Sequence, residues 1–450
     1  MAKSKEVFIC QNCGATSPKW QGQCATCGEW NTLSAESRRP GTVAGRAAAP
    51  SRAQPTSTLA AESSAAPARL GTGSTELDRV LGGGLVEGSV TLLGGDPGIG
   101  KSTLMLQAAA GLCAAGTVLY ATGEESLQQV ALRGSRLGLD GAAARLLAET
   151  CVEEIIAAAS SVGARIVIVD SIQTMYSERV ESAPGAVAQL RECTAMLVRH
   201  AKTSGTAVLL VGHVTKEGQI AGPRVLEHMV DTVLYFESDT GSRFRVLRSV
   251  KNRFGAANEI GVFAMAEQGL REVKNPSAIF LSRDPEPAAG SVVTVMREGT
   301  RSLLIEVQVL ADQSAGGTPR RVAVGIDGNR LTMLLAVAHR HAGLALQGQD
   351  VFANVVGGVR IAETAADLAI VLAARSSLRD APVPHALIAF GEIGLAGEIR
   401  PVPFGEERLR EAAKHGFTAA LVPLANVPKR APDGMRVRGV RRLAEALDAD

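Results

Sequence analysis

The stretch SVTLLGGDPGIGKS, residues 89–102, joins an apolar run that predicts a buried strand to a loop of the pattern Gly-x-x-x-x-Gly-Lys-Ser. Glycines let backbone N–H groups approach a phosphate without Cβ clashes, lysine brings positive charge to the outer phosphates, and a serine hydroxyl suits Mg²⁺. The helix-like text KSTLMLQAAAGLCAA follows in the required order. We therefore predict a nucleoside triphosphate site with Ser102 on Mg²⁺. Its residues are Gly95, Asp96, Pro97, Gly98, Ile99, Gly100, Lys101, Ser102 and Thr103.

Apolar strand-like segments alternate with helix-like segments from about residue 70 onward. The strand-like segments are SVTLL, TVLYA, RIVIVD, AVLLVG and DTVLYFE. This alternation predicts an α/β fold in which a mostly parallel sheet carries helices on both faces.

Polar side chains follow three of these predicted strands. Asp170 ends RIVIVD, and we expect it to face the phosphate loop from a neighbouring strand and hold Mg²⁺ through water, although an Asp there could instead cap the next turn. Glu124 and Glu125 follow VLYAT, where either carboxylate could activate the attacking water, and we assign the general base to Glu124. His213 ends AVLLVGH and is either a γ-phosphate sensor or a hydrogen-bonded structural residue.

Two basic segments come next. TKEGQIAGPRVLEH, residues 215–228, carries Lys216 and Arg224, which could contact a DNA backbone or could be incidental charges on a solvated loop. In SVKNRFG, residues 249–255, Lys251 and Arg253 are two positions apart, so in an extended segment both would point to one face. Such a pair could reach the γ-phosphate of a neighbouring subunit or touch DNA.

Four cysteines form two knuckles near the N-terminus. Cys10-x-x-Cys13 and Cys24-x-x-Cys27 are separated by ten residues, a spacing that lets four thiolates converge on one Zn²⁺. Two disulfides in a secreted module are the alternative, but a phosphate-loop ATPase implies the cytosol, where thiols stay reduced. We expect the remaining cysteines to be small buried apolar residues: Cys113, Cys151 and Cys193.

Composition limits the other classes of function. A formal charge of +2 does not by itself argue for nucleic acid, and 3% aromatic residues disfavour a broad base-stacking platform, so phosphate contacts should dominate any DNA binding. No run of 18 apolar residues occurs, and MAKSKEVFIC leads directly into the cysteine motif. We therefore predict a cytoplasmic chain without a membrane partner.

Together these motifs resemble the bacterial RadA (Sms) family of DNA-repair ATPases in the RecA superfamily. The resemblance covers nearly the whole chain and rests on the C4 motif, GGDPGIGKST, TGEES, VIVDSIQ and KNRFG. It implies the cofactors ATP, Mg²⁺ and Zn²⁺ and a hexameric motor on single-stranded and branched DNA that promotes branch migration alongside the RecA recombinase. In that motor, Lys101, Glu124 and Asp170 would perform hydrolysis while Lys251 or Arg253 couples subunits. The alternative is a KaiC-like ATPase of the same fold that switches protein partners.

The C-terminal third predicts an α+β domain. VRIAETAADLAIVLAA and FGEIGLAGEIRPVPFGEERLREAAKHGF resemble the Lon peptidase domain, which needs a Ser nucleophile and a Lys base. Here Ala365 or Ala366 replaces the hydroxyl and Glu406 the lysine, so we expect no peptidase activity but a scaffold for ring assembly. Four arginines, predicted to be exposed, could add a DNA contact or form an ordinary solvated face: Arg360, Arg400, Arg408 and Arg410.

These boundaries predict four segments. They are a C4 zinc ribbon at 1–33, an Ala-, Ser- and Pro-rich linker at 34–68, a RecA-like ATPase domain at 69–275 and an inactive Lon-like domain at 276–450.

Overall fold

A computed structural model describes residues 5–10, 15–38, 68–213, 225–237, 243–281, 286–314 and 316–448. Cys13, Lys216 and Arg224 lie outside these residues. The chain forms two compact units, Met1–Val273 and Lys274–Asp450. Within the described ranges, no helix is long and apolar enough to cross a membrane.

The cysteine module is a small antiparallel sheet in the order β2-β1-β3. Its third strand continues to Arg38, so the described part of the predicted linker begins as a strand paired with the first one. The sequence LSAESR has no alternating apolar pattern that would predict this strand, which is defined by its backbone pairing with β1. The strands are β1 (Lys5–Cys10), β2 (Thr16–Ser17) and β3 (Leu33–Arg38).

The first unit also contains a nine-stranded sheet in the order β14-β13-β12-β11-β6-β10-β9-β7-β8, beside a short ribbon of β4 and β5. Six neighbouring strands, from β11 to β8 in that order, run parallel, and the last three in sequence are antiparallel. The bounds are β4 (Arg69–Leu70), β5 (Leu85–Val86), β6 (Val90–Gly95), β7 (Val118–Thr122), β8 (Arg145–Ala148), β9 (Ile166–Asp170), β10 (Ala207–Val211), β11 (Thr232–Glu237), β12 (Phe244–Asn252), β13 (Ile260–Ala266) and β14 (Gly269–Glu272).

Helices cover both faces of this sheet, which confirms the predicted α/β fold. Successive residues of the buried strand β6 point to opposite sides, so Leu92 packs in one core and Leu93 in the other. The first three helices lie on the side of Leu93 and the next three on the side of Leu92. They are α1 (Thr75–Val80), α2 (Lys101–Leu112), α3 (Leu127–Arg136), α4 (Val152–Val162), α5 (Val187–Ser204) and α6 (Val225–Met229).

The second unit is built on a seven-stranded mixed sheet in the order β17-β18-β16-β15-β19-β22-β23, with a separate ribbon of β20 and β21. The strand-like and helix-like segments predicted for this third of the chain are present. The strands are β15 (Ser291–Glu298), β16 (Arg301–Gln313), β17 (Arg321–Val324), β18 (Gln349–Val355), β19 (Leu387–Ala389), β20 (Glu392–Ile393), β21 (Ile399–Arg400), β22 (Ala419–Pro423) and β23 (Arg436–Val440). The helices are α7 (Gly328–Ala342), α8 (Asp367–Leu378), α9 (Gly405–Lys414) and α10 (Leu443–Leu447).

Candidate nucleotide site and metal centre

The phosphate loop links the carboxyl end of β6 to the first residue of α2, Lys101. Gly100 caps this helix with a φ of 113°, a left-handed conformation, and a Cβ there would lie 2.8 Å from Cε of Met265. A Cβ at Gly95 would lie 2.8 Å from the carbonyl oxygen of Phe236. The loop therefore needs glycine at both places, while Asp96 to Gly98 between them are exposed to solvent beside the helix N-terminus.

Lys101 is buried against the loop that it follows. Its Nζ donates to the carbonyl oxygens of Gly95 at 2.7 Å and Asp96 at 2.8 Å, and it lies 3.2 Å from Nδ1 of His213. Burial lowers the pKa of this lysine, and the negative charges of Asp170 and Glu124 offset part of that effect. The ammonium thus sits at the loop with its three donors directed at neighbouring acceptors.

His213 connects this lysine to a carboxylate. Its Nε2 lies 3.2 Å from Oε1 of Glu124, and the hydroxyl of Ser171 donates to the same oxygen. Because an ammonium can only donate, Nδ1 of His213 accepts from Lys101 and Nε2 carries the proton given to Glu124. Burial raises the pKa of Glu124, but the hydrogen bonds from Ser171 and His213 outweigh it and leave the pKa lowered.

Glu125 points elsewhere. Its Oε1 accepts from Nη2 of Arg133 at 2.6 Å, and its backbone N–H donates to the hydroxyl of Thr122 at 3.1 Å. Of the two glutamates left open by the sequence, only Glu124 is joined to Lys101 through His213.

Asp170 ends β9 and lies close to Ser102. β9 is not the neighbour of β6 that we predicted, because β10 lies between them. Burial raises the pKa of Asp170, and hydrogen bonds from Tyr120 and Ser102 offset part of the rise. The hydroxyl of Ser102 and the carboxylate of Asp170 are oxygen ligands of the kind that Mg²⁺ prefers, so this pair fits the ion.

Two residues at this site escaped the sequence analysis. Tyr120 lies on the buried strand β7, and its hydroxyl donates to Oδ2 of Asp170 at 2.5 Å. The hydroxyl of Ser171 donates to Glu124. A tyrosine inside an otherwise aliphatic strand is itself a signal, because a buried phenol needs a hydrogen-bond partner. For Ser171 the local sequence carries no comparable signal.

The KNRFG segment lies at the amino-terminal end of the parallel strands, whereas the phosphate loop lies at their carboxyl end. Asn252, the last residue of β12, pairs with Thr232 at the start of β11, which in turn pairs with Thr91 near the start of β6. The strand from Val90 to Gly95 spans about 17 Å at 3.3 Å per residue. The structure therefore separates this segment from Lys101 within one chain.

Lys251 and Arg253 differ in their contacts. Lys251 is half-buried and donates to the carbonyl oxygens of Glu227 and Val230 at 2.8 and 2.7 Å, whereas Arg253 is exposed and lies 3.4 Å from Oδ1 of Asp231. Our expectation that one strand presents both on one face is wrong in detail, because β12 ends at Asn252. Both side chains nevertheless turn toward the segment that joins α6 to β11.

The cysteine module brings three of its four predicted ligands together. The Sγ atoms of Cys10, Cys24 and Cys27 lie within 4.8 Å of one another, and those of Cys10 and Cys27 are 3.6 Å apart. Thiolates at about 2.3 Å from one tetrahedral Zn²⁺ are about 3.8 Å apart, so these cysteines fit the ion. Gly28 turns the second knuckle with a φ of 76°. The fourth predicted ligand, Cys13, is outside the described residues.

The other cysteines and the C-terminal residues correct two expectations. Cys151 and Cys193 are buried as predicted, but Cys113 is only half-buried. In the second unit Arg408 is buried, not exposed, because its guanidinium pairs with Glu363 at 2.7 Å. The remaining residues are placed as follows: Ala365 and Ala366 are buried, Arg360 is exposed, Arg400 pairs with Glu392 and Glu398, and Arg410 pairs with Glu406.

Comparison with known proteins adds two family matches. Residues 55–219 match the AAA domain and residues 8–35 match the rubredoxin metal binding domain. The chain is 58% identical over 452 residues to a DNA repair protein RadA of Pseudomonas aeruginosa, covering 100% of this chain and 99% of that one. It is 55% identical over 458 residues to a DNA repair protein RadA of Escherichia coli, covering 99% of each. A crystal structure of the RadB recombinase aligns with 46% of this chain and 100% of its own at 23% identity, but a TM-score of 0.38 is too low to support an argument.

Proposed function

The chain belongs to the RadA family of DNA repair proteins, and on that premise we propose that it is a DNA-dependent ATPase of recombinational repair. It assembles as a hexameric ring, moves on single-stranded and branched DNA, and promotes branch migration with the RecA recombinase. The match to the AAA domain supports ATP hydrolysis, and the sheet edge that collects Lys101, His213 and Glu124 is the observation that carries the proposal.

Hydrolysis in this proposal uses the groups at that edge. Lys101 holds the outer phosphates, and Ser102 and Asp170 would hold Mg²⁺, which neutralises phosphate charge when it is bound. Glu124 orients the attacking water and takes its proton. Its lowered pKa keeps the carboxylate ionised at neutral pH, as a base must be, but makes it a weaker base, so the role rests on its position rather than on its basicity.

Coupling between subunits involves the KNRFG segment, at the amino-terminal end of the parallel strands. A residue of KNRFG lies about 17 Å along the strand from the phosphate loop of its own chain, so a cation there can reach a γ-phosphate only across an interface between copies. This separation supports a ring in which Lys251 or Arg253 of one subunit acts on its neighbour or on DNA.

DNA contacts in this proposal come from phosphate-binding cations. The sequence offers Lys216 and Arg224 in addition to the KNRFG pair. The second unit serves as a Lon-like scaffold for ring assembly without peptidase activity, because its resemblance to the Lon peptidase domain aligns Ala365 or Ala366, both buried, with the nucleophile. Four cysteines hold Zn²⁺ in the N-terminal module, in agreement with the match to a rubredoxin metal binding domain.

The ATPase rate of the full-length protein with and without single-stranded DNA, over a salt series, tests this function. We expect stimulation that weakens as salt rises, because phosphate contacts release counterions. Lys101→Ala should abolish hydrolysis in both conditions. An unchanged rate with folded, zinc-loaded protein would reject the DNA motor in favour of the KaiC-like ATPase, and casein cleavage would contradict the inactive scaffold.

Branch migration is tested separately. Labelled three-strand intermediates made by RecA should be extended faster when the protein and ATP are present, and Lys101→Ala should remove the effect. Equal extension with and without the protein would reject this part of the proposal.

A further inference from the structure

A buried carboxylate lies beneath the KNRFG segment. The side chain of Asp231 is 5% exposed, and its Oδ2 accepts from Nζ of Lys202 at 2.6 Å and from the backbone N–H of Val90 at 3.0 Å. Its Oδ1 lies 3.4 Å from Nη1 of Arg253. Two cations therefore share one buried negative charge at the amino-terminal edge of the parallel strands.

We propose that Arg253 is the releasable phosphate-binding cation of KNRFG and that Asp231 and Lys202 are positioning residues that store it and let it go. This inference rests on the proposed function, because it names which residue of the segment engages phosphate. The ligand is a phosphate oxyanion, either of the DNA backbone or of the nucleotide on a neighbouring subunit.

Release of Arg253 leaves Asp231 satisfied. A buried carboxylate that loses its only cation is strongly unfavourable, but here Lys202 and the N–H of Val90 remain. Nζ of Lys202 also lies 6.0 Å from the centre of the Phe254 ring, within reach of a cation–π contact that keeps the lysine beside Asp231. Nη1 of Arg253 lies 3.4 Å from Oδ1 of Asp231, and its side chain is 58% exposed. Its contact with the carboxylate is therefore weaker than that of Lys202 at 2.6 Å.

The backbone around Arg253 is held without help from its side chain. The N–H of Arg253 donates to the carbonyl oxygen of Asp231 at 3.1 Å, and the N–H of Phe254 donates to Oδ1 of Asn252 at 2.9 Å. Gly255 packs on Gly82, where an added Cβ would lie 3.1 Å from the Cα of Gly82. A guanidinium can thus change partner while its Cα stays in place.

Lys251 lacks this freedom. Its ammonium donates to the carbonyl oxygens of Glu227 and Val230, with that of His228 at 3.4 Å, and these groups close the C-terminal end of α6. These three contacts hold the ammonium of Lys251 at the end of α6, so Arg253 has the looser side-chain contacts of the two cations.

A double-mutant cycle on stability tests storage without using activity. Lys202→Met and Arg253→Met each leave one cation on Asp231, so each should lower the melting temperature slightly, whereas the double variant strands the carboxylate and should lower it by more than the sum. Lys202→Arg, which keeps a cation, is the control and should melt like the parent. Additive shifts would overturn the shared-carboxylate inference whether or not the protein acts on DNA.

Release is tested by the DNA-stimulated part of the ATPase rate. With Lys202→Met, Arg253 becomes the only cation of Asp231 and should be retained there, so stimulation should fall on the order of tenfold, toward that of Arg253→Ala, while Lys202→Arg keeps it. Parental stimulation in Lys202→Met together with loss in Arg253→Ala would overturn release but leave the DNA motor standing. If the parent itself is not stimulated, the proposed function fails, and the melting cycle still decides whether Arg253 is stored.

Two further measurements distinguish the phosphate source. If DNA is the ligand, Arg253→Ala should reduce the salt slope for binding a fluorescent single-stranded oligonucleotide by about one. If the nucleotide is the ligand, oligonucleotide affinity should be unchanged, and mixing Arg253→Ala with parent subunits should reduce ATPase activity more than in proportion to its share. Parental behaviour in both assays would overturn the phosphate-binding role.

Discussion

Nζ of Lys101 lies 3.2 Å from Nδ1 of His213, so the lysine of the phosphate loop contacts a residue just beyond the carboxyl end of β10. The other ring nitrogen of this histidine lies 3.2 Å from Glu124. One imidazole therefore contacts both the proposed phosphate-binding cation and the proposed base. The two interpretations of His213, a γ-phosphate sensor and a hydrogen-bonded structural residue, are compatible, because a histidine that holds Lys101 and Glu124 in place would act on hydrolysis through those contacts.

Removing this bridge should slow hydrolysis more than it weakens nucleotide binding. In His213→Ala, Lys101 keeps its two carbonyl contacts, but Glu124 loses a donor and its position, so we expect kcat to fall about 10- to 100-fold with a smaller change in KM. His213→Gln retains one acceptor and one donor and should recover part of the rate. A parental kcat in His213→Ala would show that the bridge has no role in positioning.

The two neighbouring glutamates should separate cleanly. Glu124→Gln removes the group joined to Lys101 and should lower kcat by a factor on the order of 100 or more while a nonhydrolysable analogue still binds. Glu125→Gln is the matched control, because it disturbs only the contact with Arg133 and should change kcat about threefold at most. The reverse order of effects would move the base to Glu125.

The sequence predicted the parts of this site that depend on local chemistry. SVTLL, RIVIVD and AVLLVG are continuous apolar runs that suit strands buried on both faces, and the polar residues after such strands meet at one edge of a parallel sheet. Strand order was not predictable in this way, because β10 enters between β6 and β9 through pairing of distant segments. The contact of Tyr120 with Asp170 depends on that order, since β7 neighbours β9.

The burial of Arg408 could have been predicted from the helical periodicity of the sequence, but an interpretation based on charge alone predicted an exposed residue. The buried positions of α9 are Gly405, Arg408, Leu409 and Ala412, which follow the three- and four-residue spacing of one helix face. Periodicity therefore placed this arginine on the buried stripe. Its ion pair with Glu363, 45 residues earlier in the chain, could not be derived from spacing.

The metal centre can be tested with cobalt in place of zinc. Four thiolates should give Co²⁺ the strong visible bands of tetrahedral coordination, and Cys24→Ser should weaken both the bands and the affinity. Cys13→Ser should have the same effect if Cys13 is the fourth ligand. Cys113→Ser is the control and should leave the spectrum unchanged, whereas parental bands in Cys13→Ser would exclude Cys13 from the site.

Glu272 should make the stability of the ATPase unit depend on pH. Hydrogen bonds from Ser74 and Thr75 at 2.6 and 2.7 Å outweigh the effect of burial and lower the pKa of this carboxylate, which also accepts from the first turn of α1. Because the folded pKa lies below the ordinary value of 4.5, this stabilisation is complete above about pH 4.5 and is lost as the pH falls through the lowered pKa.

Glu272→Gln should therefore lower the unfolding free energy by about 1 to 2 kcal/mol at pH 7 and by less in acid. The measurement is denaturant unfolding of the full chain at both pH values. Glu267→Gln, at an exposed position in the turn between β13 and β14, is the control. A loss that stays constant with pH would contradict the assigned role of the ionised carboxylate.

The buried ion pair of the second unit should be far more important for stability than its exposed neighbours. Arg408 is 1% exposed, pairs with both oxygens of Glu363 at 2.7 Å, and donates to the carbonyl oxygens of Pro403 and Val295. Arg408→Met removes the cation and leaves Glu363 in a partly buried position without it, so we expect a loss of about 3 to 5 kcal/mol in unfolding free energy. Arg410 lies on the exposed face of the same helix and pairs with exposed Glu406, so Arg410→Met should lower the unfolding free energy by about 0.5 kcal/mol or less. If the melting profile resolves the two units, the large loss of stability should appear in the second unit. Equal losses of unfolding free energy in the two variants would mean that the buried pair adds no more stability than a surface pair.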